Sequence, residues 1–405
     1  MSETAELESF RQETRSWLEA NCPPEMREPA RDEDDIFWGG RNTEFTSDAQ
    51  KAWFETCRDI GYTVPAWPTE YGGAGLDPAQ AKVLRQEMNR IGARPPLSSF
   101  GIWMLGPALL QFGTEGQKRR FLNEIARGEV RWCQGYSEPG SGSDLVSMQT
   151  FGEEVSDTQG GDHWVVNGQK IWTSYADKAD WIFCLVRTEK NNKYQGITFM
   201  LFDMHGGGVT TKPIKLISGN SPFCETFFDD AIVPKSYGDD CPGYVGEINR
   251  GWDVAKYLLG HEREMISGAG GDDRTATIGA SMKRHAAKDG GELDPLLRAE
   301  LAMFDVDALA YSAMGEKFLD EVKVGKAHPA QPNMMKYAGT ELNKRRHELM
   351  MSAGGSRSLE WDSDETGGGK PSRNWLRTKA NSIEGGTSEV MLNVISKRIL
   401  GLPDA

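Results

Sequence analysis

The chain has 405 residues, 38% hydrophobic and 26% charged, which is enough for a sizeable core spread over two or three structural units. Its formal net charge of -14 argues against a nucleic-acid groove or an anionic membrane surface as partner, while leaving room for an anionic ligand in a local basic pocket. Six scattered cysteines without CxxC spacing read as reduced thiols, neither a disulfide framework nor a metal site. The acidic start MSETAELESF is no signal peptide and no apolar run reaches membrane-spanning length, so a cytoplasmic protein without membrane insertion is expected.

Residues 4–20 place Leu7, Phe10, Trp17 and Leu18 on one stripe, predicting an amphipathic helix capped by Ser2 or Thr4. Cys22-Pro23-Pro24 stops it. The polar stretch Arg27 to Asn42 reads as a surface loop carrying Phe37 and Trp38. A second helix is expected over about Ser47 to Ile60, ended by Gly61. In YTVPAWPTEYGGAGL, residues 62–76, two prolines forbid helix and the glycines demand tight backbone. That stretch reads as a rigid connector packing Trp67 and Tyr71 into the scaffold. Two more helical patterns cover about Pro78 to Ile91 and Thr114 to Arg127.

From Arg131 to about Pro234 the period shortens. HWVVN at 163, WIFCLV at 181 and GITFMLF at 196 are short β-branched and aromatic runs. Clusters such as Asn167-Gly168, a hairpin turn signal, separate them. A β-domain follows, either a barrel or a sandwich. Beyond Gly251 helical patterns return over about Trp252–Lys288, Pro295–Lys323, Ala330–Met351 and Ser388–Leu400, with polar breaks at Asp289–Glu292 and Ser356–Ser372. These helices are long enough for a bundle. The fold class is α+β: an N-terminal helical domain (1–130), a β-domain (131–240) and a C-terminal helical bundle (241–405).

The stretch the rest is organised around is Trp132 to Asp144, WCQGYSEPGSGSD. Hydrophobic residues run into a turn rich in glycine and serine, whose free N–H groups and hydroxyls suit the oxygens and ring heteroatoms of a cofactor. Alone, such a run is most often a surface loop. A second segment, Asn167 to Ser174 (NGQKIWTS), offers the Trp172 plane beside the hydroxyls of Thr173 and Ser174.

Taken together, these segments resemble the acyl-CoA dehydrogenase family. The resemblance spans nearly the whole chain through WFETCRDIGYTVPAWPTEYGGAGL, FLNEIARGEVRWCQGYSEPGSGSD, NGQKIWTSYADKADW, ETFFDDAIVP, VGEINRGWDVA and IEGGTSEVMLNVISKRILGLP. It implies a helical domain, a β-barrel-like domain and a C-terminal four-helix bundle, with FAD as cofactor. Carried over by position, Tyr136 and Ser137 would contact the flavin ring. Gly142 and Ser143 would line the junction of flavin and thioester. Trp172, Thr173 and Ser174 would cover the other part of the ring. Thr387, Ser388 and Glu389 would face the cofactor from the start of the last helix, where free N–H groups suit its phosphates or carbonyls.

The family's reaction takes a proton from the carbon α to a CoA thioester and passes a hydride from the β carbon to the flavin. A carboxylate base in a dry pocket is required. Many members place it directly before Gly-Thr-Ser in the closing motif, but here that position is Gly385, with Glu384 one residue early. A subset resembling isovaleryl- and long-chain-acyl-CoA dehydrogenases uses a Glu-Arg pair eleven residues after a Gly-aromatic start. Counting from Gly251-Trp252 leads to Glu262-Arg263. The resemblance therefore implies Glu262 as base, Glu384 as second choice, Arg263 against the CoA portion, and the Gly385 N–H on the thioester oxygen. A solvated, ion-paired helix carboxylate is the plainer reading of Glu262. His261, on a different helix face, is given no catalytic role.

Two family elements that reach a neighbour's FAD are altered. Where an Arg-x-x-Phe-Gly segment is usual, the region reads ASMKRHAAKDGGELDPLLRAE, with Arg284 a poor substitute. Where Gln-x-x-Gly-Gly is usual, Met351-Ser-Ala-Gly354-Gly355 lacks the glutamine. The expectation is a homo- or hetero-tetramer, the mixed form having a related second chain and fewer FADs than subunits, acting on bulky acyl-CoA such as sterol side chains. An electron-transfer flavoprotein is the expected electron acceptor. Competing readings are an oxidase or a C–S lyase of the same fold, a non-catalytic subunit, and an acyl-CoA binding module.

Overall fold

The computed structural model describes residues 3–30, 33, 35–156, 162–190, 194–267, 276–280, 282–283 and 292–403. The chain divides into two compact units, Met1–Pro213 with Phe223–Leu258, and Ile214–Pro222 with Leu259–Ala405.

The first unit opens with helices α1 (Glu3–Asn21), α2 (Asp48–Asp59) and α3 (Pro78–Arg90). Local chemistry sets their ends: the Ser47 side chain accepts from the Gln50 N–H, and Asp77 with Gln80 forms a reciprocal capping box. Leu18, Cys22, Met26, Trp53, Cys57 and Leu84 make their shared core. Glu87, buried on α3, accepts from Arg11, Arg15 and Arg90 and so ties α3 to α1. Trp67 and Tyr71 are buried, as a rigid connector requires.

One helical stretch was not foreseen: a π-turn at Gly101–Leu105 running into α4 (Gly106–Phe112). Its Gly-Pro composition hides the helical pattern, and packing supplies what propensity lacks. A Cβ on Gly106 would lie 2.1 Å from the Trp67 ring, so only glycine fits there. The next helical stretch comprises α5 (Glu115–Gln117), a π-turn at Lys118–Leu122 and α6 (Asn123–Ala126).

Eight strands follow: β1 (Trp132–Gly135), β2 (Phe151–Val155), β3 (His163–Ser174), β4 (Trp181–Arg187), β5 (Ile197–Asp203), β6 (Val209–Ile214), β7 (Phe223–Pro234) and β8 (Tyr244–Val245). They form one sheet in the order β6-β7-β3-β2-β4-β5-β8, with β1 added parallel to β4. The sheet is mixed, and among the described residues no ladder joins β6 to β8, so closure into a barrel is not shown. All seven residues of β4 are buried, which explains its unbroken apolar run.

Asn167-Gly168 is not a hairpin turn. It lies inside β3, where the register shifts between Val166 and Gly168. Gly168 has φ +146°, and the Asn167 side chain exchanges hydrogen bonds with Asp230 on β7. Strands on both sides of β3 hold the chain extended, so the dipeptide is used for a bulge.

Helix α7 (Gly251–Ser267) starts in the first unit, with Gly251 pressed onto β5. Helix was expected as far as Lys288; residues 268–275 and 284–291, with Arg284, lie outside the described residues. The second unit contains α8 (Pro295–Lys323), α9 (Gln331–Gly354), α10 (Lys370–Thr378) and α11 (Ser388–Val394). Phe304, Ala308 and Leu301 of α8 join Ile278 and Leu349 in its core. Helix α10 ends the supposed break at Ser356–Ser372 early; three left-handed glycines, Gly367 to Gly369, precede it and obscure its start in the sequence. Among the described residues no helix is long and apolar enough to cross a membrane.

Candidate functional site

In the first unit β1 delivers Tyr136 and Ser137 to the rim of the sheet. The Tyr136 ring is buried edge-on to Phe183 and Phe199, with centroids 6.2 and 6.4 Å away. The chain then doubles back: Glu138 and Ser141 exchange backbone hydrogen bonds at 2.9 Å in each direction. The Ser141 hydroxyl donates to the carbonyls of Asp144 and Leu145, fixing the far side of the turn. Gly142 and Ser143 are exposed, and a Cβ on Gly140 or Gly142 would meet nothing within 4 Å. Neither packing nor backbone angle within this chain requires these two glycines; the space beside them is open.

The second segment closes β3. Its register shifts again between Lys170 and Thr173. Between them Trp172 sits at φ +62°, and Tyr175 beyond at +51°. A bulky residue in the left-handed region costs about 1–3 kcal/mol and persists only where its surroundings over-determine it. The result is an indole lifted out of the sheet, 52% exposed, resting edge-on against Phe223. Beside it Thr173 is fully buried, and its hydroxyl has no partner among the described residues. That hydroxyl has no surface a ligand could reach; Ser174, half-buried on the other side of Thr173 from the indole, is the accessible hydroxyl of this segment.

The two segments are joined directly. The Ile171 N–H donates to the Ser137 carbonyl at 2.9 Å. The fully buried Lys170 ammonium donates to the Tyr136 carbonyl at 3.1 Å and to Glu138 Oε1 at 2.8 Å. Glu138 also accepts from the N–H groups of Gln149 and Thr150, at 2.6 and 2.9 Å. Burial pushes the Glu138 carboxyl up, but the Lys170 charge and these hydrogen bonds outweigh it and hold the group below the usual carboxylate range. Lys170 and Glu138 were not foreseen. The available signal was a lysine between Gln169 and Ile171 at a strand position facing inward.

In the second unit the closing motif is held from α9. The Lys336 ammonium, fully buried, donates to the carbonyls of Asn381 and Gly386 at 2.9 and 2.7 Å. Asn343 donates to the Asn381 side chain, which in turn donates to Glu384. Glu384 also pairs with Arg377 at 2.9 Å. Gly385 and Gly386 take φ of +64° and +100°, where a side chain would be strained. Thr387 caps α11, accepting from the Val390 N–H at 3.2 Å, and Ser388 donates to Glu341 at 3.3 Å. Glu389 is exposed. Glu262 and Arg263 lie on the backbone of α7, but their side chains are outside the described residues.

The first unit thus brings the exposed Trp172 and the half-buried Ser137 and Ser174 together on two joined segments, with Tyr136 and Thr173 buried beside them. The second gathers Glu384, Gly385, Thr387, Ser388 and Glu389 on one pinned loop and helix start.

Family models match along the chain: "Acyl-CoA dehydrogenase, N-terminal domain" over residues 4–129, "Acyl-CoA dehydrogenase, middle domain" over 133–231, and "Acyl-CoA dehydrogenase, C-terminal domain" over 249–400. Acyl-CoA dehydrogenase IpdE1 of Mycolicibacterium smegmatis is 34% identical over 98% of both chains. Among solved structures, the Tcur3481-Tcur3483 steroid ACAD is similar with a TM-score of 0.78 at 26% identity, covering 99% of this chain and 98% of that one. The ChsE4-ChsE5 complex from Mycobacterium tuberculosis is similar with a TM-score of 0.72 at 27% identity, covering 100% of both.

Proposed function

The chain belongs to the acyl-CoA dehydrogenase family, and we propose that it is an FAD-dependent oxidoreductase that converts an acyl-CoA thioester to its trans-2-enoyl-CoA. The observation that carries this is the indole of Trp172, held exposed on left-handed backbone, with the half-buried Ser137 and Ser174 on the two joined segments. A planar ring system with polar edge atoms fits that face: the indole offers a stacking plane, and the hydroxyls of Ser137 and Ser174 offer hydrogen bonds. Bound there, FAD would supply a hydride acceptor for the substrate's β carbon.

The chain's own residues do the rest. Tyr136, Ser137, Trp172, Thr173 and Ser174 hold and cover the ring; Gly142 and Ser143 leave room where thioester and ring meet. Thr387, Ser388 and Glu389 contribute from the start of α11. Because Thr387 already caps that helix, its hydroxyl contributes only if one oxygen serves both roles. Glu262 takes the α proton, Arg263 meets the CoA portion, and the Gly385 N–H supports the thioester oxygen as negative charge develops there. The engagement of Glu384 with Arg377 and Asn381 supports Glu262 over Glu384 as the base.

We place the segments in three working domains, 1–130, 131–240 and 241–405, in the cytoplasm. A mixed oligomer with a related chain is favoured, on bulky, steroid-derived acyl-CoA, with an electron-transfer flavoprotein as acceptor. The altered neighbour-facing segments support it, as does similarity to the Tcur3481-Tcur3483 steroid ACAD and the ChsE4-ChsE5 complex. The test is an anaerobic titration of the purified chain, alone and co-expressed with a related chain, with straight-chain and steroid-side-chain acyl-CoA. Bleaching of the flavin band by a thioester is the expected result. A chain that holds FAD and is bleached by none of them would overturn the dehydrogenase reading.

A further inference from the structure

Taking the ammonium of Lys170 and the carboxylate of Glu138 out of water is costly, and an apolar pair of similar size would generally serve stability as well. What the pair touches is therefore informative. Its partners are backbone atoms of the site: the Tyr136 carbonyl, one residue before Ser137, and the N–H groups of Gln149 and Thr150, where the glycine-rich turn rejoins the sheet. Thr150 is itself bonded to the Gln169 carbonyl at 3.4 Å, closing a ring back to β3. Two residues beyond Lys170 lies the strained Trp172.

Resting on the FAD reading above, we propose that Lys170 and Glu138 are positioning residues that lock the Tyr136–Ser137 rim and the Trp172–Ser174 rim into one preformed cofactor face. Each rim is reached through one fixed atom, the Tyr136 carbonyl on one side and the Lys170 backbone on the other. Without the ammonium, the bond from the Ile171 N–H to the Ser137 carbonyl still joins the rims, but the strained bulge at Trp172 loses an anchor. The role is specific to the site, because the deeper strands β4 and β5 are held by their own ladder.

The experiment uses the full-length Lys170→Met/Glu138→Gln variant, which removes both charges together and leaves no unpaired buried ion. Lys170→Arg serves as the conservative control. Hydrogen–deuterium exchange of the FAD-free chains should rise in peptides covering 136–150 and 171–175 and stay unchanged across 181–203. FAD should bind the double variant about tenfold or more weakly, the scale of a lost charge-assisted hydrogen bond, with a shifted flavin absorption band. Lys170→Arg should recover part of both effects. Unchanged exchange at 136–150, or wild-type FAD affinity and spectrum in the double variant, overturns the clamp. An equal rise across 181–203 also overturns it, by showing a role in general stability. Failure of the wild-type chain to take up FAD would overturn the cofactor reading separately, and the exchange pattern would still judge the clamp.

Discussion

Glu384 is bound to Arg377 by an ion pair of 2.9 Å, the carboxylate's other oxygen accepting from Asn381. A carboxylate held between two donors inside its own loop is a structural anchor. It would have to leave both partners to reach a substrate proton, and a general base needs that proton within about 3 Å.

Glu384→Gln should therefore keep dehydrogenase activity and lose roughly 1 kcal/mol of stability or less, as befits a part-exposed pair. Glu262→Gln should cut kcat by about 10²–10⁴-fold, the usual reach of general base catalysis, with folding intact. Steady-state kinetics and a thermal melt on both variants check this; the reverse pattern of activity loss would move the base to Glu384.

Lys336→Met should destabilise the second unit. It leaves the Asn381 and Gly386 carbonyls without their buried donor, at about 1–3 kcal/mol for each group left unsatisfied. A lowered melting temperature, with faster proteolysis near residues 381–388, is the expected outcome. An unchanged melt would show that the loop does not depend on this ammonium.

Acid should loosen the first unit through Glu87. Hydrogen bonds from Arg15 first, then Arg90 and Arg11, outweigh burial and bring its pKa down to about 2 from the ordinary value of 4.5. A depressed folded-state value means the contribution is complete above the unfolded value and is lost as pH falls from about 4.5 towards 2. Glu87→Gln should be less stable than wild type at pH 7 and approach it near pH 2. Urea melts at several pH values test the convergence.

Trp172→Gly separates strain from function. Relief of left-handed backbone, worth about 1–2 kcal/mol, offsets glycine's entropy and the lost Phe223 contact, so the melting temperature should barely move. FAD affinity should fall by about tenfold, the size of a lost aromatic contact. Weaker folding with undiminished FAD binding would contradict this assignment.

Gly251→Ala should disturb the seating of α7. The new Cβ would lie 2.3 Å from the Phe199 nitrogen and 2.6 Å from the Thr198 carbonyl carbon, backbone atoms that cannot step aside. A loss of about 1–3 kcal/mol is expected from such overpacking. The loss should come with a reduced rate if α7 carries the base, and a melt paired with kinetics reads both.

Much of this protein was legible in its residues because the determining interactions are local or periodic. The heptad-like spacing of Leu301, Phe304, Ala308, Tyr311 and Phe318 announced α8, and the apolar run from Trp181 announced β4. Caps at Ser47, Asp77, Thr114 and Thr387 follow from single side chains. The glycine- and serine-rich turn and the NGQKIWTS segment marked the site itself, because their residue types suit a ligand whatever the fold around them.

Tertiary structure decided what depends on distant partners. Asn167-Gly168 carries the local chemistry of a turn, yet strands on both faces of β3 made it a bulge. Gly101–Phe112 is helical despite Gly106-Pro107, and the glycine there answers to the Trp67 ring, which occupies the place of a Cβ. Lys170, an ordinary surface residue by composition, became buried because Glu138, 32 positions earlier, arrives to neutralise it. A buried charge is tolerable only when another part of the chain supplies its counter-charge, and sequence spacing does not encode that meeting.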